Sequence, residues 1–467
     1  MKTMSAAAFV LLLVSFAQAQ QRWTKTYGGP GSDYGSSVQQ TTDGGYIIAG
    51  LTTSFGAGSF DVYLIKTNAS GDTLWTKTCG GNVDDDGLAV RQTSDGGYII
   101  AGFTHSFGAG NEDVYLIKTN ALGDSLWTRT YGGTDNDAGH SVQQTSDGGY
   151  IIAGGTASFG AGAYDVCLIK TNAFGDTVWT RAYGGTGDDF GHSVQQTSDG
   201  GYIVAGYTKS FGAGGCDFYL IKTNTFGDTL WTRTYGGTGF DEGFSVQQTL
   251  DGGYILAGWT NSFGAGSYDS YVVKTNASGD TLWTRTYGGT SQDAVRAVQQ
   301  TSDGGYTLAG WTNSFGAGVQ DVYLIKTNAS GDTSWTWTYG GTGDDEGYSV
   351  QQASDGGYVI TGYTTSFGAG GSDVYLIKTD ANGSPGVEEP RSRRQVAMGC
   401  IRATPNPFTS YARIPGHEAE RFDVYDISGK MVGAYRGSRV GEGLSPAVYF
   451  IKPCDEHDGS LRVVKAR

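Results

Sequence analysis

Histidine, cysteine and proline are all scarce in this 467-residue chain, at five, five and eight copies. No His-Glu-x-x-His and no Cys-x-x-Cys is present, and no cysteine–histidine spacing suits structural zinc. An odd number of cysteines leaves at least one thiol unpaired. Cys79 and Cys167 stand where equivalent positions carry tyrosine, which reads as packing substitution, and Cys216 falls in a variable loop. Cys400 and Cys454 flank the C-terminal segment, where a disulfide and two free thiols are both open. Charged residues make up only 16%, and the balance is acidic, with a net charge of −15. From Ser384 onward there are 13 basic residues against 10 acidic, so nearly all the negative charge lies upstream. That sign excludes nucleic acid as a partner. Long apolar runs are missing too. The one short run, Ala6–Phe16, follows Lys2 and precedes Ala17-Gln18-Ala19, the pattern of a cleaved secretory signal over 1–19. It is too short to span a bilayer, so no transmembrane segment is expected in the mature chain.

What is abundant is glycine, at 78, and aromatic residues, at 13%. Tryptophan falls at 23, 75, 127, 179, 231, 283 and 335, a spacing of 52 kept without insertion or deletion. A unit of this size cannot bury a core alone, so the units must stack or close. Within one unit, Ser36–Thr41, Tyr46–Thr52, Asp61–Thr67 and Thr73–Thr78 read as four short strands. The Asp43-Gly44-Gly45 turn and the Ser70-Gly71-Asp72 turn separate two of the junctions. The middle strands are apolar on both faces, which requires cover on both, as in blades packed around an axis. Seven inner strands occur, the last unit lacks its fourth strand, and the chain opens on an orphan strand, Trp23–Tyr27. The expectation is an all-β, seven-bladed β-propeller over 20–382, closed by its N-terminal strand and followed by a small β-sandwich. The competing architecture is an open β-solenoid, which leaves the orphan strand without a partner.

Four aspartates recur in every unit. Connectivity puts the Asp33 and Asp61 series on one face with the Phe-Gly-Ala-Gly loops. Asp33, Asp85, Asp137, Asp189, Asp241, Asp293 and Asp345 are the calcium candidates, no other cofactor being expected. The reading preferred here is that these carboxylates cap their own loops. The phenylalanines at 55, 107, 159, 211, 263, 315 and 367 and the tryptophan ladder are expected to pack between blades. A binding site is better sought where units differ. Phe103, Tyr207, Trp259, Trp311 and Tyr363 end strand two, and Tyr164 and Tyr268 precede strand three. These seven form the candidate binding face, for a glycan or protein ligand. The residue opening strand one also varies, from Ser36 and Leu88 to Arg296 and Tyr348. His140 and His192 share one repeat position, which reads as inheritance from duplication. No blade departs so as to place a catalytic group, so no catalytic residue is assigned and no enzyme is expected. The alternatives are a polysaccharide hydrolase or lyase, for which acid pairs such as Asp84-Asp85 would serve, and a structural surface protein without a ligand.

Composition breaks at Gly383, and 383–400 reads as a charged linker. Over 401–467, Pro405-Asn406-Pro407-Phe408, then Val424-Tyr425-Asp426-Ile427-Ser428-Gly429-Lys430, then Val448-Tyr449-Phe450 appear in order before a basic end. This segment resembles the type A C-terminal sorting domain of the bacterial type IX secretion system. Ala447 departs from the usual glycine, and the stretch between Phe408 and Val424 is short. The 52-residue unit likewise resembles a repeat common in secreted bacterial propeller proteins. The resemblance implies export through periplasm and outer membrane. Its partners would be the secretion machinery and the processing enzyme that reads residues 401–467, and the product would be released or displayed at the surface. The runner-up is a related small sandwich that merely ends the chain.

Overall fold

The computed structural model describes residues 22–385, 412–413, 421–426, 430–436, 439–440, 443–453 and 461–464. The leader reading over 1–19, Cys400, Cys454, the Pro405–Phe408 motif and Gly429 lie outside them. The chain divides into two compact units, Met1–Glu389 and Pro390–Arg467.

The first unit is a seven-bladed propeller of four-stranded antiparallel sheets. Blade one runs Asp33–Gln40, Tyr46–Thr52, Asp61–Thr67 and Thr73–Cys79 from the axis outward, and blades two to six repeat it. Blade seven takes three strands from Asp345–Gln352, Tyr358–Thr364 and Asp373–Lys378, and its fourth from Trp23–Tyr27. That strand pairs antiparallel from Trp23 opposite Lys378 to Tyr27 opposite Val374. Arg22 Nη1 secures the closure on Asp380 Oδ2 at 3.3 Å and Ser384 Oγ at 3.4 Å. Closure of this kind leaves no inner sheet edge open to another chain.

Strands two and three are buried throughout, apart from one half-buried position in strand two. Each tryptophan of the ladder meets a tyrosine of the next blade, with centroids 5.6–6.0 Å apart from Trp23–Tyr46 to Trp335–Tyr358. Tyr27, Tyr131, Tyr183, Tyr235, Tyr287 and Tyr339 each donate to a glycine carbonyl in the next blade's outer turn at 2.6 Å. Cys79 removes that bond between blades one and two. Around the axis, Gln40, Gln92, Gln144, Gln196, Gln248, Gln300 and Gln352 each accept a backbone N–H from the preceding blade, an unbroken ring.

The Asp-Gly-Gly turns are pinned from beneath by buried lysines. Lys66 Nζ lies 2.9 Å from Asp43 Oδ2 and donates to the Thr67 carbonyl at 2.8 Å, and all seven blades repeat the pair. A buried ammonium is tolerable only when paired and hydrogen-bonded in this way.

The phenylalanine series departs from expectation. Phe55, Phe107, Phe159, Phe211, Phe263 and Phe315 are 44–51% exposed instead of packed between blades. Each sits on a surface loop. All but Phe159 tilt against the third-strand tyrosine of their own blade, as Phe55 does on Tyr63 at 5.7 Å.

The second unit has a four-stranded antiparallel sheet in the order Met431–Arg436, Arg421–Asp426, Val448–Pro453, Leu461–Val464. It also has a two-stranded pair, Ala412–Arg413 with Arg439–Val440. Phe422 and Val424 are buried. Tyr425 and Asp426 lie in the second of these strands, and Tyr449 pairs with Asp426. No helix among the described residues is long and apolar enough to cross a membrane.

Candidate functional site

The site begins with a fault in the ladder. In every blade the register between strands one and two slips by one residue, first between Gly35 and Ser37. The residue left over is Ser36, Leu88, His140, His192, Phe244, Arg296 or Tyr348. A β-bulge of this type leaves one residue unpaired and re-aims its side chain. The glycine opposite makes room for it. A Cβ on Gly50 would collide with the Tyr34 carbonyl oxygen, and the same holds in each blade. These seven residues, with Tyr34, Leu51 and Asp86, line a funnel of about 450 Å³.

The lining is asymmetric. His140 meets His192 at 4.9 Å between ring centroids, and His192 meets Phe244 at 4.9 Å. The Arg296 guanidinium stands 4.5 Å over Phe244 and 5.7 Å over Tyr348. Tyr348 touches Tyr363 at 5.9 Å, which touches Tyr34 at 4.8 Å across the closure. An aromatic arc therefore runs from blade three to blade one. Ser36, Leu51, Asp86 and Leu88 occupy the remaining side.

Most of the seven residues singled out in the sequence form a layer behind this lining. Tyr207 backs His192 at 5.8 Å and Phe190 at 5.2 Å. Tyr164 stacks on Phe190 at 4.7 Å, and Phe190 fills the space left by Gly155. Tyr363 donates to Glu346 Oε1 at 3.0 Å. Trp259 packs edge-on to Tyr268 at 4.6 Å. Phe103 meets His105 at 5.6 Å, and Trp311 pairs across the sheet with Ala294 and Val322. The residues singled out in the sequence thus lie at the same end of the propeller as the funnel, outside its lining. The two histidines, read as relics of duplication, touch one another in the funnel.

Burial sets the electrostatics. The Asp86 carboxyl, paired across the strand with Phe103, is pushed up to about 7 by desolvation, and its Oδ1 has no partner. Burial lowers His140 to about 4. His192 falls well below the usual imidazole value through burial, with His140 and Arg296 adding to the effect. Both rings are therefore neutral at physiological pH. Glu242 and Glu346 are raised by burial, against the opposing pull of Arg296.

The calcium candidates are turned into their own loops. Asp33 Oδ2 accepts from the Gly29 N–H and Ser54 Oγ at 2.8 and 2.7 Å, and Oδ1 accepts from Thr52. Asp61 Oδ2 accepts the Ala57 and Gly58 N–H groups. Among the described residues no group of three or more His, Cys, Asp or Glu converges as a metal site.

A larger cavity, about 560 Å³, opens between blades two and three beside Cys167, Thr180 and Phe159. It marks the tyrosine ring that other blades place at this position.

Comparison with known proteins adds the following. A family described as a domain of unknown function (DUF5122) β-propeller matches residues 353–385. The regulatory protein FlaEY of Caulobacter vibrioides is 26% identical over 256 residues, which cover 47% of this chain and only 26% of that protein. The WD40 domain of Neurospora crassa Pan2 aligns with TM-score 0.45 and 10% identity, covering 78% of this chain and 99% of that one. The polysaccharide lyase Uly1 aligns with TM-score 0.45 and 12% identity, covering 79% and 94%. The chain itself is an all-β protein whose larger unit is a closed seven-bladed propeller.

Proposed function

We propose that this protein is a non-enzymatic binding module of the cell exterior that takes its ligand into the funnel. One observation carries this reading. The seven positions that the bulges aim at the axis carry six residue types, whereas the residues shared by every blade are spent on holding the ring. A purely structural ring has no need of six different residue types at seven equivalent positions around one opening. The test is equilibrium binding of the purified protein to immobilised saccharides, peptides and polyanions, with Phe244→Ala and Tyr348→Ala as probes. Binding of one class that both substitutions weaken supports the reading. Binding indifferent to both, or none at all, defeats it.

A second reading, a polysaccharide hydrolase or lyase, draws on the Asp86 carboxyl poised near 7 beside a funnel with two neutral imidazoles. Turnover of a polysaccharide that is abolished by Asp86→Asn would favour it over simple binding.

For the route outward, we propose export through the type IX system by way of residues 401–467, on the motif order given above. Deleting 401–467 is expected to hold the protein in the periplasm. Unchanged export would refute the assignment.

A further inference from the structure

We infer that the funnel's ligand is a neutral, polyhydroxylated saccharide gripped by Arg296 on one side and Asp86 on the other. This rests on the binding reading and names its chemistry.

Three of the residues lining the funnel each keep a buried polar atom without a partner, and these atoms are of both kinds. Arg296 makes no hydrogen bond and no ion pair with any described residue, and its Nε is buried without an acceptor. Its guanidinium lies over the faces of Phe244 and Tyr348, which hold the planar fork in place. His192 Nε2 is likewise buried and unpartnered. On the opposite side Asp86, 8% exposed, leaves Oδ1 without a donor. Buried groups left this way are costly in a free protein, and a ligand that completes them recovers that cost. Donors without acceptors and acceptors without donors, in one opening, call for a ligand group that both gives and accepts. A hydroxyl does so.

Charge points the same way. The ten lining residues carry one cation, Arg296, and one acid, Asp86, while both imidazoles are held neutral. Behind the lining, Glu242 and Glu346 act on Arg296 and offset its charge. An anion would meet these two carboxylates, and a cation would meet the arginine. A neutral ligand meets neither penalty. Tyr34, Phe244 and Tyr348 give the opening apolar surface beside these polar atoms. The volume of about 450 Å³ lies within the range of small-ligand sites.

The inference is tested by calorimetry on the secreted full chain with four neutral hexasaccharides, of the cello, laminari, malto and manno series. Oligogalacturonate, a chitosan oligomer and a pool of neutral hexapeptides are run beside them. At least one neutral saccharide is expected to bind, and Arg296→Lys, which keeps charge but loses the fork, is expected to weaken it about tenfold or more. Asp86→Ala should do the same, while Arg285→Lys on the outer strand should change nothing. Circular dichroism of each variant separates lost contact from lost fold. Affinity for the neutral saccharide should also vary less than about threefold between 50 and 500 mM salt, since no net charge is neutralised. If the uronate, chitosan or peptide arm alone binds, and does so through Arg296, the neutral-saccharide assignment is wrong and the binding reading stands. If no arm binds, both fall.

Discussion

Replacing Cys167 by tyrosine should make the protein more stable, and the size of the gain follows from the other blades. Tyr63, Tyr115, Tyr219, Tyr271, Tyr323 and Tyr375 occupy this position at 3–5% exposure. Five of them are hydrogen-bonded to a strand-four threonine, as Tyr63 is to Thr76. In blade three the ring is missing, Thr180 faces the cavity, and Phe159 has lost its aromatic neighbour. Burying the ring contributes about 2–3 kcal/mol, and a satisfied hydroxyl contributes about 1 kcal/mol. Ordering the side chain costs about 1 kcal/mol, which leaves a net gain of about 2 kcal/mol. For a cooperative body of roughly 360 residues, unfolding entropy is about 0.75 kcal/mol per kelvin, so Tm should rise by about 3 °C. Differential scanning calorimetry reads this directly. The mirror substitution, Tyr115→Cys, should lower stability by about 3 kcal/mol. A Cys167→Tyr variant that melts at or below the parent temperature would refute the claim that the cavity is an unfilled tyrosine site.

Three further outcomes follow. Although burial pushes Asp95, Asp147, Asp251 and Asp303 upward, bonds from threonine, lysine and glycine hold their carboxyls at about 2. Asp43 and Asp199 are lowered in the same way. A carboxyl depressed in the folded state adds stability above its unfolded value and loses it as pH falls through the folded one. Tm should therefore drop steeply between about pH 4 and 2 as these six carboxyls protonate, and a flat acid profile would contradict the turn-pinning role. Trp23→Ala should cost about 2–3 kcal/mol by removing the contact with Tyr46 that closes the ring. Leu74→Ala, at a position 58% exposed, should stay within about 0.5 kcal/mol, both measured by urea unfolding. Gly206→Ala should destabilise by roughly 2–3 kcal/mol, because its Cβ meets the Phe190 carbonyl oxygen that the bulge brings close. The same change should displace His192 and weaken funnel binding, and a fully stable, fully binding variant would argue against bulge-directed aim.

The architecture was legible because period, turn glycines and the unpaired strand at Trp23 are all written in residue type. The site was only half legible. Differences among units drew attention to Tyr207, Trp259 and Tyr363, but a one-residue slip between Gly35 and Ser37 does not disturb the visible alternation of a strand. Its trace is the glycine at position 50 inside a largely buried, largely apolar strand, paired with variation at Ser36. The histidines show the same limit. Sharing a repeat position places two side chains in adjacent blades at one radius, so duplication itself brings His140 against His192. Phe55 misled for a different reason. A phenylalanine present in every unit reads as core, yet its setting between Ser54 and Gly56 belongs to a loop tip, where backbone solvation keeps the chain at the surface.

The seventh blade has a mechanical consequence. The outer turn that follows its third strand is kept, although no fourth strand continues from it. Trp337 Nε1 donates to the Asn382 carbonyl at 2.8 Å and Tyr339 Oη to the Gly383 carbonyl at 2.6 Å, while Arg22 clasps Asp380 and Ser384 from the opposite end of the chain. A pull applied beyond residue 385 is thus received by blade six and by the N-terminal strand together. The stretch that ends blade seven is therefore held at one point by blade six and by the segment that opens the closing strand, so that a load there is shared between them.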